Sequence, residues 1–147
     1  SLLNLSTIRG FQTNNRGLRT LIVGIDIGIQ IAAIKRIQYN GGQTGALRTF
    51  FFKLCNLQQA AVAPVFVFDG PGRPTMKRNK KVSQDPLSFT EPLKTLIKSF
   101  GFYFYEAPGE AEAELAQLNK LGFIDAVITE DGDALVFGAT RVIRTIG

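Results

Sequence analysis

The chain has 147 residues and is 45% hydrophobic, which is enough for one domain with a buried core and excludes a disordered chain. The absence of histidine excludes Ser-His-Asp and Cys-His catalysis and most zinc sites. The single cysteine, Cys55, excludes an internal disulfide, and no apolar run is long enough to span a membrane. We therefore expect an intracellular, non-membrane protein.

The net charge of +5 is divided unevenly along the chain. Residues 1–68 hold seven Lys and Arg but one acid, and residues 70–81 hold five bases and no acid. Residues 101–133 hold eight of the twelve acids and one base. A basic surface beside a carboxylate pocket suits a polyanion that is bound by the first and cut at the second.

Strands and helices alternate along the chain after an irregular lead-in over residues 1–20. Buried strands appear as short apolar or β-branched runs, and helices as apolar residues at helical spacing between turn residues. In chain order they are a strand at 21–27, helices at 29–38 and 45–60, a strand at 65–70, a basic loop at 71–86, a helix at 86–100, a strand at 102–107, a helix at 110–121, and strands at 123–129 and 141–146. This alternation predicts an α/β fold with a mostly parallel central sheet, in one domain over residues 21–147.

Asp26 and Asp69 each end a predicted buried strand and precede a turn or helix. Sites in α/β sheets form outside the carboxyl ends of the strands, and a buried charge without a partner is costly. Each Asp could instead cap the next helix or turn. Acids also follow the third and fourth strands, so we predict that four strand ends bring carboxylates to one metal site.

Two tight groups of carboxylates follow the third and fourth strands. They are Glu110, Glu112 and Glu114 at a helix start, and Glu130, Asp131 and Asp133 after an apolar strand. Carboxylates this close repel one another unless a cation lies between them, and oxygen ligands favour a hard divalent ion. The alternative is a helix start favoured by the helix dipole, followed by an acidic turn. Residues 110 and 114 share a helix face, so which of the three glutamates are ligands stays open.

A cluster of basic residues begins four residues after Asp69. It consists of Arg73, Lys77, Arg78, Lys80 and Lys81. Such a cluster is usually a solvated loop, but its position beside a candidate metal ligand favours contact with phosphates.

The chain resembles the XPG/flap-endonuclease (Rad2-type) family of structure-specific 5′ nucleases in four segments. They are GLRTLIVGIDI, PVFVFDGPGRP with the K-R-x-K-K that follows it, APGEAEAE, and DAVITEDGDALVFGA. The short interval between FDG and APGEAEAE is similar to that of the Holliday-junction-resolvase branch and its fungal PIN-domain-like relatives. The resemblance covers residues 18–146. It implies a PIN-like three-layer fold, metal-dependent cleavage of flap, branched or junction DNA in repair or recombination, and a nuclear location.

The resemblance also implies roles for individual residues. Two Mg²⁺ ions, for which Mn²⁺ can substitute, would be held by Asp26, Asp69, Glu110, Glu112, Asp131 and Asp133. Lys77 matches the family lysine that reaches the scissile phosphate. Lys53 matches a position where relatives carry a basic residue near the active site.

Several features depart from the family pattern. Gly28 and Gln30 stand where relatives carry a small hydroxyl residue and an aromatic residue. The chain lacks the family's N-terminal Gly-Leu-Trp-type segment, its last metal-ligand Asp and its helix–two-turn–helix region, so we expect a domain truncated at both ends. Two alternatives to an active DNA nuclease stay open. One is a catalytically inactive nucleic-acid-binding remnant, and the other is a PIN-type ribonuclease.

Overall fold

The computed structural model describes residues 20–37, 42–60, 62–72, 76–77, 80–81, 90–129 and 142–144. The strands in these ranges are β1 (Leu21–Asp26), β2 (Val62–Phe68), β3 (Met76–Lys77), β4 (Lys80–Lys81), β5 (Tyr103–Glu106), β6 (Ala126–Thr129) and β7 (Val142–Arg144). The helices are α1 (Ile27–Ile37), α2 (Gly42–Gln59), α3 (Thr90–Ser99) and α4 (Ala111–Lys120). Within the same ranges, no helix has the length and apolar character needed to cross a bilayer.

In the described ranges, five strands form one sheet in the order β5-β2-β1-β6-β7, and every neighbouring pair is parallel. The predicted α/β architecture is therefore confirmed. The second strand begins earlier than predicted, at Val62, and runs through Pro64. A proline is tolerated there because β5 pairs with β2 only from Val65 onward, so the missing N–H of Pro64 interrupts no bond on that side.

The sheet lies between two layers of helices, because alternate side chains of each strand point to opposite faces. Val65 and Val67 of β2 pack in one core with residues of α4, whereas Phe66 and Phe68 pack in a second core with residues of α2 and α3. Gly24 of β1 lets α4 approach closely. A Cβ atom there would lie 2.4 Å from Cδ2 of Leu115.

The end of α4 matches its prediction, and the strand after it begins later than predicted. Gly122 has a φ of 81°, and its N–H donates to the carbonyl of Asn119, which ends the helix. The N–H of Phe123 donates to the carbonyl of Leu118 at 2.9 Å. Residues 123–125 therefore belong to the bend after α4, and β6 begins at Ala126.

The predicted basic loop is wrong over four of its residues. Met76 and Lys77 pair antiparallel with Lys80 and Lys81, in a register that sets Lys77 opposite Lys80. Backbone pairing between two-residue strands produces no periodic side-chain pattern, so this pairing could not be predicted from the pattern of residues. The predicted helix at 86–100 is found at Thr90–Ser99, and residues 86–89 lie outside the described ranges.

The loops after β2 and β5 are joined through their backbones. The N–H of Gly70 donates to the carbonyl of Gly109 at 2.8 Å, and the N–H of Gly72 donates to the carbonyl of Pro108 at 3.0 Å. A Cβ atom on Gly70 would lie only 1.6 Å from the carbonyl oxygen of Ala107. Glycine is thus required at 70 for the two loops to meet.

Gly70→Ala is expected to lower the free energy of unfolding by about 3 kcal/mol or more, since backbone has to move to admit the methyl group. Gly45→Ala is the matched control, because nothing lies within 4 Å of a Cβ atom at that position in α2. It is expected to raise stability by about 0.5–1 kcal/mol, as alanine favours a helix over glycine. Urea unfolding followed by circular dichroism measures both. A Gly70→Ala protein as stable as the parent would contradict the close contact of these loops.

Candidate functional site

Asp26 is the last residue of the central strand β1 and is only 9% exposed. Its Oδ1 accepts a hydrogen bond from the backbone N–H of Gly28 at 2.7 Å. This bond fixes the carboxylate at the carboxyl edge of the sheet, where α1 begins. The strand end predicted for this residue is therefore confirmed.

Asp69 follows β2, the neighbour of β1, and is half-buried. Its Oδ1 accepts from the N–H of Ala111, the first residue of α4, at 2.9 Å. Asp69 thus satisfies an N–H at the start of a helix that lies 42 residues along the chain. Asp69 therefore caps a helix, as the capping alternative held. The capped helix is α4, however, and not the next helix along the chain. The backbone contact between the β2 and β5 loops brings the two partners together.

The carboxylates of Asp26 and Asp69 face the same small space in front of Gly28. A Cβ atom on Gly28 would lie 3.1 Å from Oδ1 of Asp26 and 3.7 Å from Oδ2 of Asp69. A side chain at position 28 would therefore crowd Asp26 and lie in van der Waals contact with Asp69. Because glycine stands at position 28, where a hydroxyl residue was expected, this space stays open.

Glu112 lies in the first turn of α4 and is 8% exposed. The pKa of Asp26 is raised from 3.8 to about 7, first by burial and then by the negative charges of Asp69 and Glu112. Hydrogen bonds from the N–H groups of Gly28 and Ile29 offset part of this rise. Three acids from separate parts of the chain therefore act on one another at this edge of the sheet.

The glutamates on either side of Glu112 have other environments. The hydroxyl of Tyr105 donates to Oε1 of Glu114 at 2.7 Å, which directs Glu114 toward β5. Burial, followed by this hydrogen bond, raises the pKa of Tyr105. Glu110 is half-buried at the N-cap of α4, where its backbone is extended (φ −75°, ψ 133°). Glu112 is thus the glutamate that acts on Asp26.

The described part of the site is smaller than the predicted six-carboxylate site. Among residues that the structure describes, no three acidic, cysteine or histidine side chains lie close enough to hold a metal ion by themselves. Asp26, Asp69 and Glu112 interact through their charges but do not complete a ligand set. The other predicted acids, Asp131 and Asp133, lie outside the described ranges, as does Glu130.

Comparison with known proteins identifies the family and the fold. Residues 101–147 match the family model of the XPG I-region. The flap endonuclease GEN of Drosophila pseudoobscura pseudoobscura is 34% identical over 155 residues, which cover 86% of this chain and 21% of that protein. Flap endonuclease 1 of Saccharolobus solfataricus is 29% identical over 169 residues, which cover 89% of this chain and 48% of that protein.

Solved structures agree with these relatives. The Holliday junction-resolving enzyme GEN1, in complex with product DNA and Mg²⁺, is 38% identical with a TM-score of 0.67 and covers 85% of this chain. The catalytic core of Rad2 in complex with DNA substrate is 29% identical with a TM-score of 0.71 and covers 87% of this chain. The chain belongs to the XPG/Rad2 family of flap endonucleases. It spans 28% of the GEN1 chain and 43% of the Rad2 chain, and the predicted PIN-like fold is confirmed.

The structure describes only part of the predicted basic residues of this XPG/Rad2 domain. Lys53 in α2 donates from Nζ to Oε1 of Gln30 in α1 at 2.7 Å. Lys77, Lys80 and Lys81 are placed by their backbones in β3 and β4. Arg73 and Arg78 lie outside the described ranges.

Sequence reasoning missed two contacts in this XPG/Rad2 domain. One is the Lys53–Gln30 hydrogen bond, and the other involves Asp125, one of the eight acids between residues 101 and 133. Oδ2 of Asp125 accepts from the N–H of Ile22 at 2.8 Å, and its own N–H donates to the carbonyl of Ile22 at 2.8 Å. Asp125 therefore ties the start of β1 to the loop before β6, at the edge of the sheet opposite Asp26. The predicted strand at 123–129 includes Asp125, so its position in the sequence offered no signal for this contact.

Proposed function

We propose that this chain is the catalytic domain, over residues 21–147, of a metal-dependent nuclease that hydrolyses phosphodiester bonds in flap, branched or junction DNA. The observation that carries the proposal is the convergence of Asp26 and Asp69 on the space before Gly28. Glu112 adds a third negative charge there, strong enough to act on the pKa of Asp26. Buried carboxylates that repel one another are stabilised by a cation.

The residues at this edge fit a hard divalent cation. The donors are all oxygens, and the space in front of Gly28 is one that a side chain would fill. We propose that two Mg²⁺ ions, or Mn²⁺ in their place, are held by Asp26, Asp69, Glu110, Glu112, Asp131 and Asp133. When bound, such ions supply an activated water and neutralise charge on the scissile phosphate. GEN1, a relative, has been crystallised with Mg²⁺ and Mn²⁺.

The described residues have separable tasks in this proposal. The hydrogen bond from Gly28 orients the carboxylate of Asp26, and the bond to Ala111 orients that of Asp69. Because Asp69 also satisfies an N–H of α4, it fixes the start of the helix that carries Glu112 relative to β2.

The basic residues would bind the DNA backbone. The backbones of Lys77 and Lys80 lie opposite each other in the β3–β4 ladder. We propose phosphate contacts for Arg73, Lys77, Arg78, Lys80 and Lys81, and positions nearest the scissile phosphate for Lys77 and Lys53. A role in repair or recombination would make the protein intracellular and nuclear.

Cleavage of labelled flap, four-way-junction and duplex DNA, and of matched RNA, tests the proposal. The chain is expected to cut flap or junction DNA with Mg²⁺ or Mn²⁺, and Asp131→Ala is expected to lower the rate by about a hundredfold or more. Asp125→Asn is the control because it removes an acid from the opposite edge of the sheet and retains an acceptor for Ile22. It is expected to stay within about threefold of the parent rate.

Each other outcome favours a defined alternative. Binding of DNA without cutting by the parent chain would support the inactive remnant, which is motivated by Gly28 and Gln30. Preferential cutting of RNA would support a PIN-type ribonuclease. Equal loss of cleavage in Asp125→Asn and Asp131→Ala would remove the assignment of the site to the edge that carries Asp26.

A further inference from the structure

The contact between Lys53 and Gln30 links two helices at the edge of the carboxylate site. Nζ of Lys53 in α2 donates to Oε1 of Gln30 in α1 at 2.7 Å, and both side chains are half-buried. Gln30 follows Asp26 by four residues and lies in the first turn of α1. Because α1 begins directly after Asp26, the bond ties α2 to the first turn of the helix that follows the end of β1.

Lys53 donates to a neutral amide, that of Gln30, and this distinguishes it from Lys94 in the same fold. Lys94 contacts two carboxylates, Glu106 at 2.6 Å and Glu91 at 3.4 Å, so its charge is balanced within the protein. An amide oxygen orients an ammonium group without cancelling its charge. An ammonium group has three N–H donors, and among the residues that the structure describes only Gln30 accepts from Lys53, which leaves two donors for a phosphate.

We propose that Gln30 is a positioning residue that holds the Lys53 ammonium beside the carboxylate site, oriented to bind a phosphate of the DNA backbone. The inference rests on the proposed function. It explains why a glutamine is useful at a position where an aromatic residue was expected. A glutamate there would hold the same ammonium but neutralise it, and an apolar residue would leave it to rotate freely.

Three variants distinguish the effect of the position of the Lys53 ammonium group from the effect of its charge. Gln30→Glu retains an acceptor and cancels the charge, Gln30→Met removes the acceptor and retains the charge, and Lys53→Met removes the charge itself. Gln58→Glu is the matched control, since it adds the same charge to an exposed position on α2. Binding of the full chain to flap DNA is measured with Ca²⁺ over a range of salt concentrations, and kcat and KM are measured with Mg²⁺. Thermal unfolding of each variant verifies its fold.

Gln30→Glu and Lys53→Met are expected to weaken binding by about five- to tenfold and to lower the slope of log affinity against log salt by about 0.9, the loss of one phosphate contact. Gln30→Met is expected to leave that slope unchanged and to lower kcat by about tenfold, because the charge remains but its position is lost. The double variant Gln30→Met/Lys53→Met should be no worse than Lys53→Met alone. Gln58→Glu should bind within about twofold of the parent.

The outcomes distinguish this inference from the proposed function. A parent chain that cuts DNA while Gln30→Glu keeps full affinity and slope overturns the positioning role alone. Multiplicative losses in the double variant also overturn it, because they would make the two residues independent. A parent chain that neither binds nor cuts any DNA overturns both proposals.

Discussion

Asp26→Asn is expected to stabilise the metal-free protein at pH 8 by up to about 4 kcal/mol while abolishing cleavage. Asparagine keeps an oxygen that can accept from the N–H of Gly28 but carries no charge. It therefore removes the repulsion from Asp69 and Glu112, which together with burial raises the pKa of Asp26 to about 7. A substitution that increases stability and destroys activity is typical of a site that is strained for its function.

The direction in which the stability of the parent protein changes with pH follows from the raised pKa of Asp26. The folded protein binds this proton more tightly than the unfolded chain, whose aspartate has the ordinary pKa of 3.8. The contribution of Asp26 to the free energy of unfolding is therefore fully present below pH 3.8 and is lost as the pH rises through about 7. Between pH 3.8 and about 7, each pH unit lowers the free energy of unfolding by about 1.4 kcal/mol. The parent and Asp26→Asn curves should meet near pH 4 and separate up to about pH 7.

Urea unfolding in EDTA at several pH values measures this difference. Glu91→Gln is the control, because it removes an acid whose side chain is 69% exposed and should leave the pH dependence of the parent curve between pH 4 and 7 in place. Added Mg²⁺ at pH 8 should stabilise the parent, since an ion that binds only the folded state raises stability by mass action, and should have little effect on Asp26→Asn. An Asp26→Asn protein less stable than the parent at pH 8 would contradict the repulsion among these carboxylates.

The parts of the fold that depend on side-chain pattern were predictable. Buried parallel strands are continuous apolar runs, so the five strands of the main sheet were placed within a few residues. The positions of Asp26 and Asp69 followed, because each acid interrupts or ends such a run. Gly122 marked the end of α4 for an equally local reason, a positive φ after a helix.

The contacts that depend on two distant segments were not predictable from one sequence. Asp69 caps α4 only because Gly70 and Gly72 allow two loops to touch backbone to backbone. The Lys53–Gln30 bond joins residues 23 apart on two helices, and neither residue takes part in an apolar pattern. The choice among the three glutamates of α4 was also a matter of tertiary packing, since helical spacing alone groups 110 with 114.

Glu112→Gln is expected to lower metal-dependent cleavage by about a hundredfold or more, whereas Glu114→Gln is expected to stay within about threefold of the parent. The two substitutions are chemically identical and lie two residues apart on α4. Glu112 is buried and raises the pKa of Asp26, so its charge belongs to the proposed metal site. Glu114 instead accepts from the hydroxyl of Tyr105 at 2.7 Å.

Measurements of stability also distinguish Glu112 from Glu114. Glu112→Gln removes a negative charge beside Asp26, so the pKa of Asp26 should fall and the metal-free protein should lose less stability between pH 4 and 7. Tyr105→Phe removes the donor to Glu114 and should cost about 1 kcal/mol of stability, with cleavage retained. Rates on flap DNA and urea unfolding of all three proteins make the comparison. Equal losses of cleavage in Glu112→Gln and Glu114→Gln would show that α4 acts through its total charge, and would remove the specific role that burial beside Asp26 gives to Glu112.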